Sequence, residues 1–417
     1  MTRHQSIKQK SGGVECPLCG VPAQPIMSLG VQPLAQDFLA PDAVADPVRF
    51  ELLPEICLNC GLAQIAYRPP STTVFGEAYP YRSGVSRTMR EHLRNLAEHS
   101  LALVADKPDP FLLEIGCNDG TLSRHFAQRG LRHLGVDPAR RAIEQAAAEG
   151  VSVLNEEFNA RTGPAILAEH GKADVIVAAN VIAHISDLRQ TMEQVCACLA
   201  ADGSFVFEAI SLLDLMRRRA FDLFYDEHLY TFSATAVAML ARSFDLELVD
   251  CIPIASQGGS LRYILVRPGV RPCSPRVDEK LREEQAFGIL DIQAWDDFAQ
   301  DVTRSARSLR QTVDELRHAR ASVAGYGATA KSSVALAFAG LSRAQIDCIF
   351  DTTPEKVGLL SPCDRIPIRF PTPDLIERYD YLVLFAWNFL PEIQAREEAF
   401  RAKGGKWITY HGSVRIV

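Results

Sequence analysis

The 417-residue sequence predicts an α/β protein with two doubly wound parallel-sheet units behind a short cysteine-bearing segment. Three observations predict it. Strand-like apolar runs alternate with helical patterns from about residue 109 to 268, and again from ASVAGYG onward. Each alternating half carries a Gly-bearing strand-to-helix turn, and two close cysteine pairs stand ahead of both. Alternation of this kind puts helices on both faces of a mostly parallel sheet.

Residues 1–78 are rich in Pro and turn signals, with short strand-like runs such as Arg49–Leu53, and are too poor in long apolar elements to build a core of their own. The pairs Cys16/Cys19 (CPLCG) and Cys57/Cys60 (CLNCG) each set two thiols on a tight turn. Zinc takes four such ligands tetrahedrally, so the expected ion is a closed, structural zinc that offsets the weak core. The alternative is four unligated cysteines. Of the 11 cysteines the other seven are scattered, which argues against a disulfide framework.

In the first alternating unit FLLEIGC, HLGVDP, VSVLNEEF, ADVIVAAN and GSFVFEAI read as strands. SFDLELVDC and GSLRYILVR follow as a candidate antiparallel pair at the sheet edge. The first strand ends in Glu114, turns at Gly116, and reaches Asn118-Asp119-Gly120 at the start of a helix. Glycine lets a ligand lie against the backbone, and a helix N-terminus offers free amides. Asp137, 21 residues past Gly116, ends the second strand, where a carboxylate can accept ribose hydroxyls. The spacing is E-x-G-x-x-x-G and not G-x-G-x-x-G, so the turn resembles motif I of class I S-adenosylmethionine-dependent methyltransferases. Asn180 ends the fourth strand at the same sheet edge. With Glu156 and Phe158 of VSVLNEEF and Tyr81 of EAYPYRSG, these residues are the expected cofactor set. A bare Gly turn in a nucleotide-type fold is the plainer alternative.

After the fifth strand comes FDLFYDEHLYTFS. Tyr225, Glu227 and His228 form a polar set in an apolar, aromatic context, and His is the natural base near neutral pH. Glu227 is adjacent in sequence and need not contact His228; local backbone decides whether it orients His228 or raises its basicity. His184, from another strand end, is a second titratable candidate, and Tyr79 lies beside Tyr81 where the two can cap the site. A lone His near aromatics is also, commonly, a satisfied core residue.

A helical stretch from about 276 to 320 leads to the second unit. GYGATAKSS supplies Gly327, Thr329, Lys331 and Ser332, IFDTTPEK supplies Asp351, and LFAWN supplies Asn388. The turn suits either NAD, and hence an oxidoreductase, or a nucleotide diphosphate. It lacks the third Gly of a dinucleotide fingerprint, and its Lys would suit a diphosphate; a packing domain with a bare Gly turn is the plainer alternative.

Taken together and in order, the paired cysteines, YPYRSG, EIGCNDG, NVIAHISDL, FYDEH, GGSLRY and GYGATAKS resemble the three-domain sugar C-methyltransferases of bacterial deoxysugar pathways, among them the C-3 methyltransferases of tetronitrose- and mycarose-type sugars. The resemblance covers nearly the whole chain. It implies an N-terminal zinc-binding domain (1–78), a central class I Rossmann-like methyltransferase domain (79–275) and a helical segment with a C-terminal Rossmann-like substrate-binding domain (276–417). It implies S-adenosylmethionine and structural zinc as cofactors. The implied substrate is a TDP-linked keto-deoxysugar of antibiotic or other natural-product biosynthesis, methylated at C-3 through an enolate, with C-5 as the alternative. The implied catalytic residues are Tyr79, His184, Tyr225, Glu227 and His228. Many relatives carry His where this chain has Gln257, before the paired Gly of SQGGSLRY. A zinc-ribbon scaffold with a degenerate nucleotide fold is the non-enzyme alternative.

The bulk numbers agree with these readings. Net charge is −7 with no basic block, which argues against a nucleic-acid partner. No apolar run approaches the roughly 20 residues that span a bilayer, and the start MTRHQSIKQKSGG is polar, so a cytoplasmic monomer or weak dimer with no membrane partner is expected.

Overall fold

The computed structural model describes residues 13–67, 69 and 82–417. The central sheet is built from β6 (Phe111–Ile115), β7 (Arg132–Val136), β8 (Val153–Leu154), β9 (Ala173–Ala179), β10 (Leu199–Ile210), β12 (Glu247–Ile254) and β13 (Ser260–Val266). Its order is β12-β13-β10-β9-β6-β7-β8. All five residues of β6 and all seven of β13 are buried. Helices cover such strands on both faces, which is why they read as continuous apolar runs. The expected antiparallel pair is present: β13 runs antiparallel to β10, with Ser204 opposite Val266 and Ile210 opposite Ser260, and β12 pairs β13. β6 lies between β7 and β9, so the chain leaves toward opposite sides at its carboxyl end and opens a crevice there.

A second sheet has the order β16-β15-β14-β17-β18-β19. Its strands are β14 (Val323–Tyr326), β15 (Ile349–Phe350), β16 (Ile368–Arg369), β17 (Tyr381–Leu384), β18 (Lys406–Thr409) and β19 (Arg415–Ile416). β19 runs antiparallel to β18 and the other pairs are parallel. The expected helical link is two helices, Pro275–Phe287 and Ile292–His318. The longer one buries Trp295, Phe298, Val302, Leu309 and Val313, a helical spacing that presents one apolar face. Asp291 caps its start by accepting from the Gln293 amide.

The N-terminal segment forms β1 (Gln24–Pro25), β2 (Val31–Pro33), β3 (Arg49–Glu51), β4 (Pro54–Ile56) and β5 (Ala63–Ile65). Most of its described buried apolar residues join the core of the central sheet. Leu29, Phe50, Ile56 and Leu62 belong to the same buried cluster as Phe205 and Phe207 of the central sheet. Its small sheet, β1-β4-β5-β11, takes its last strand from the central chain: β11 (Tyr230–Thr231) pairs β5, two residues after His228. Among the described residues no helix is long and apolar enough to cross a membrane.

Candidate active site

The turn after β6 is held by its own backbone. Gly116 has φ +71°, and a Cβ there would stand 2.6 Å from the Val181 side chain, so the position requires glycine. Asn118 is also left-handed (φ 49°), and its amide donates to Asp137 Oδ2 at 3.0 Å. The Ala139 amide donates to Asp137 Oδ1 at 2.7 Å. Burial pushes the Asp137 carboxyl up, and these two amides hold it down in part. Asn118 Oδ1 accepts from the Ser83 amide (3.0 Å) and Asp119 Oδ2 from the Gly84 amide (2.7 Å), so the chain just past EAYPYR is tied to the loop. Tyr79 and Tyr81 lie outside the described residues. Glu114 is turned beneath the loop, where its Oε2 accepts from the Ser123 amide at 3.1 Å and from the Ser123 hydroxyl.

His228 presents a defined tautomer. Its Nδ1 lies 2.8 Å from the Leu223 carbonyl oxygen, which only accepts, so Nδ1 carries the proton. Nε2 is then the acceptor, and the Tyr225 hydroxyl donates to it at 2.6 Å. The His184 ring stands edge-on at 5.1 Å. Burial, then His184 and Lys331, hold His228 well below the usual imidazole value, and burial brings His184 down to about 4. Glu227, whose relation to His228 the sequence left open, lines the same cavity. Its Oε1 accepts from Gln36 Nε2 at 2.5 Å. Sequence reasoning missed Gln36, which carries no motif. The same N-terminal strap continues into the second unit: the Ala35 amide donates to Asp226 (2.9 Å), and Ser333 donates to the Ala35 carbonyl (2.8 Å).

A single cavity of about 330 Å³ joins these two sets. Glu114, Gly116, Asn118, Asp137, Phe158 and Asn180 line it together with Gln36, His184, Tyr225, Glu227, His228 and Gln257. The volume falls in the range of small-molecule sites. Glu156 is not part of the wall. Its carboxylate pairs with Arg161, and Glu157 and Phe158 face the cavity instead.

The second unit's expected residues gather at the end of β14 and do not line this cavity. Asp351 accepts from the Ala328 amide (2.7 Å) and the Thr353 amide (2.8 Å), and Thr329 caps the helix Ala330–Ala339 through the Ser332 amide. Gly327 has φ +92°. Lys331 is buried, and burial lowers its ammonium while Asp222 raises it. Asn388 Oδ1 is buried without a hydrogen-bond partner among the described residues. Lys356, also missed, donates to the Ala328 carbonyl at 2.9 Å and lies over Phe38.

The four cysteines at the front do converge. Cys16 and Cys60 sulfurs are 3.5 Å apart, Cys19 and Cys57 sulfurs 3.4 Å, and all four lie within 4.8 Å of one another. Zinc–sulfur bonds of about 2.3 Å in a tetrahedron need sulfurs separated by just under about 4 Å, so the set fits the ion.

Comparison with known proteins agrees with this architecture. Residues 89–250 match the methyltransferase domain family, and 255–411 match the C-methyltransferase C-terminal domain family. The chain is 31% identical to the C-methyltransferase NovU of Streptomyces niveus, over 97% of this chain and 96% of that protein. A shorter match, 31% identical over 25% of this chain and 44% of the relative, is to the ubiquinone biosynthesis O-methyltransferase of Methylobacterium sp. (strain 4-46). The N-methyltransferase NodS of Bradyrhizobium japonicum WM9, solved with S-adenosyl-L-homocysteine, aligns with 45% of this chain and 92% of its own at 21% identity and a TM-score of 0.35, too slight a likeness to bear on function. Sheet order, cavity and these matches define an S-adenosylmethionine-dependent methyltransferase. Over nearly its full length, the chain belongs to the C-methyltransferase family. That membership answers the choice left open by the sequence between methyltransferase, oxidoreductase and zinc-ribbon scaffold.

Proposed function

We propose that the enzyme methylates C-3 of a TDP-linked 4-keto-deoxysugar through an enolate, in the biosynthesis of a natural-product deoxysugar. The observation that carries the reading is the shared cavity, in which the strand-end loop of Gly116, Asn118 and Asp137 faces the Tyr225–His228 pair. The likeness to the C-methyltransferase NovU supports carbon as the acceptor.

S-adenosylmethionine, when bound, supplies an electrophilic methyl group on a sulfonium. Asp137 would accept from its ribose hydroxyls, with Gly116, Asn118, Phe158 and Asn180 as the surrounding wall. Glu114 lines the same cavity and belongs to that wall, whereas Glu156 lies off it; Tyr81 stays with the set from the sequence. A saturated sugar carbon is not nucleophilic, but a carbon beside a ketone becomes so on losing its proton. The substrate's C-4 oxygen would take the Tyr225 hydroxyl as a hydrogen-bond donor. That move uncovers His228 Nε2, whose lone pair accepts the C-3 proton while the C–H electrons pass into the enolate. Donors already aimed at the developing oxyanion stabilise charge formed in the transition state. His184 and Tyr79 are further donors for that oxygen. Glu227 acts on the imidazolium across the cavity, not through Nδ1. Holding enolate and methyl in line supplies much of the remaining acceleration.

Lys331, Thr329, Ser332 and Gly327, with Asp351 shaping the loop and Asn388 beside it, would hold the nucleotide diphosphate at the N-terminus of the helix Ala330–Ala339. Cys16, Cys19, Cys57 and Cys60 would hold a structural zinc. Exchange in D2O tests the enolate directly. Wild-type enzyme with S-adenosylhomocysteine should exchange the C-3 hydrogen of a TDP-4-keto-deoxysugar, and His228→Asn should not. Exchange at C-5 alone would move the methylated position, and equal exchange in both proteins would remove His228 as the base.

A further inference from the structure

Asp222 is fully buried on the 3-10 turn Phe221–Leu223, six residues before His228. Three donors converge on its carboxylate, and all come from loops that follow strands of the C-terminal sheet. Trp387 Nε1 (3.0 Å) and the Tyr410 hydroxyl (2.7 Å) donate to Oδ2, and His411 Nε2 donates to Oδ1 at 2.9 Å. Trp387 follows β17, and Tyr410 and His411 follow β18. The three rings also pack together, His411 lying 4.2 Å from Trp387 and 4.4 Å from Tyr410. Burial opposes ionisation here, but His411, Tyr410 and Lys331 outweigh it and keep the carboxyl below its usual range.

A mere staple between domains needs no buried charge, since apolar packing of similar volume holds surfaces together as well. What a fully hydrogen-bonded carboxylate adds is one fixed geometry. The residue after Asp222 is Leu223, whose carbonyl receives the His228 Nδ1 proton. Fixing Asp222 therefore aims the carbonyl that sets the His228 tautomer and leaves Nε2 facing Tyr225. Trp387 extends the same link to the cavity. A Cβ on Gly258 would overlap its ring, and the neighbouring Gln257 lines the cavity in a left-handed conformation (φ 53°).

We infer that Asp222 is a positioning residue, through which the C-terminal domain holds the His228 imidazole in its base-competent tautomer. Its catalytic consequence rests on the reading of His228 as the base; its effect on the tautomer does not. The test is long-range proton–nitrogen NMR of the full chain labelled with ¹⁵N-histidine, the His228 signal being identified by its loss in His228→Asn. Wild type should show His228 with Nδ1 protonated and Nε2 bare. Asp222→Ala should lose this single tautomer, and methyl transfer to a panel of TDP-4-keto-deoxysugars should fall at least tenfold in kcat with the KM for S-adenosylmethionine unchanged. Asp222→Asn keeps the shape and an acceptor oxygen, and should restore both the tautomer and most of the rate. Should Asp222→Ala fail to fold, Tyr410→Phe removes one donor and should move the His228 signal with a severalfold loss of kcat. An unchanged His228 signal in Asp222→Ala, or in Tyr410→Phe where Asp222→Ala does not fold, overturns the inference. A shifted signal together with an active His228→Asn enzyme would retain the positioning role and discard the base.

Discussion

Glu114 gives the sharpest physical handle on the cofactor loop. Its side chain is 3% exposed, and one oxygen accepts from both the amide and the hydroxyl of Ser123. Burial pushes the carboxyl from 4.5 up to about 8; Ser123 holds it down in part, and Asp119 and Asp137 push it further up. The folded protein thus keeps a proton that the unfolded chain releases above about 4.5. The sign follows: the contribution to stability is whole below about 4.5 and is lost as pH rises toward about 8. At about 1.4 kcal/mol per pH unit, the loss by pH 8.5 is on the order of 3–5 kcal/mol. Glu114→Gln keeps an acceptor for Ser123 and cannot ionise. Urea unfolding at pH 5 and pH 8.5 should find the variant near wild type at the lower pH and more stable by about 3 kcal/mol or more at the higher. Parallel stability curves for the two proteins would refute the account of a neutral, loop-supporting Glu114.

Other perturbations reach the rest of the site. Gly116→Ala puts a Cβ 2.6 Å from Val181 at φ +71°; it should cost upward of about 1–2 kcal/mol and weaken S-adenosylmethionine binding at least tenfold by calorimetry. His228 works unprotonated and is held low by burial, His184 and Lys331, so the acid limb of kcat/KM should fall below about 6.5; a limb at or above that value contradicts the assignment. Cys57→Ser should lower both the zinc content, measured by elemental analysis, and the melting temperature; an unchanged melting temperature would deny the metal a structural role. Gln36→Ala removes the donor to Glu227 and should reduce kcat severalfold without changing cofactor affinity.

The parts of the site legible in the sequence are those set by local chain geometry. Gly116 and Asp137 sit at the ends of adjacent buried strands, and an apolar run closed by a Gly turn or an acid announces both. The cysteine pairs were legible for the same reason, since each pair is its own tight turn. The antiparallel edge of β12 and β13 followed from the short loop between two strand-like runs. Contacts made across the chain were not legible. The donors to Asp222 lie 165, 188 and 189 residues away, and Gln36 reaches Glu227 across 191. Nothing at those positions has a spacing or pattern that predicts its partner. Glu227 shows the same limit: adjacency to His228 in sequence left its direction open, and its carboxylate meets Gln36 while the Leu223 carbonyl holds His228 Nδ1. Glu156 failed by one position, because the chain after β8 turns Glu157 and Phe158 inward and leaves Glu156 to Arg161.

In the proposed reaction one cavity delivers a methyl group to a sugar carbon made nucleophilic by His228. The direct measurement is carbon NMR of the product formed from methyl-¹³C S-adenosylmethionine and a TDP-4-keto-deoxysugar, run with wild type and with His228→Asn at saturating cofactor. The account predicts a labelled methyl bonded to C-3 in the wild-type product, and none with His228→Asn despite undiminished cofactor binding. A label on oxygen or nitrogen, or an equal yield from both proteins, would contradict it.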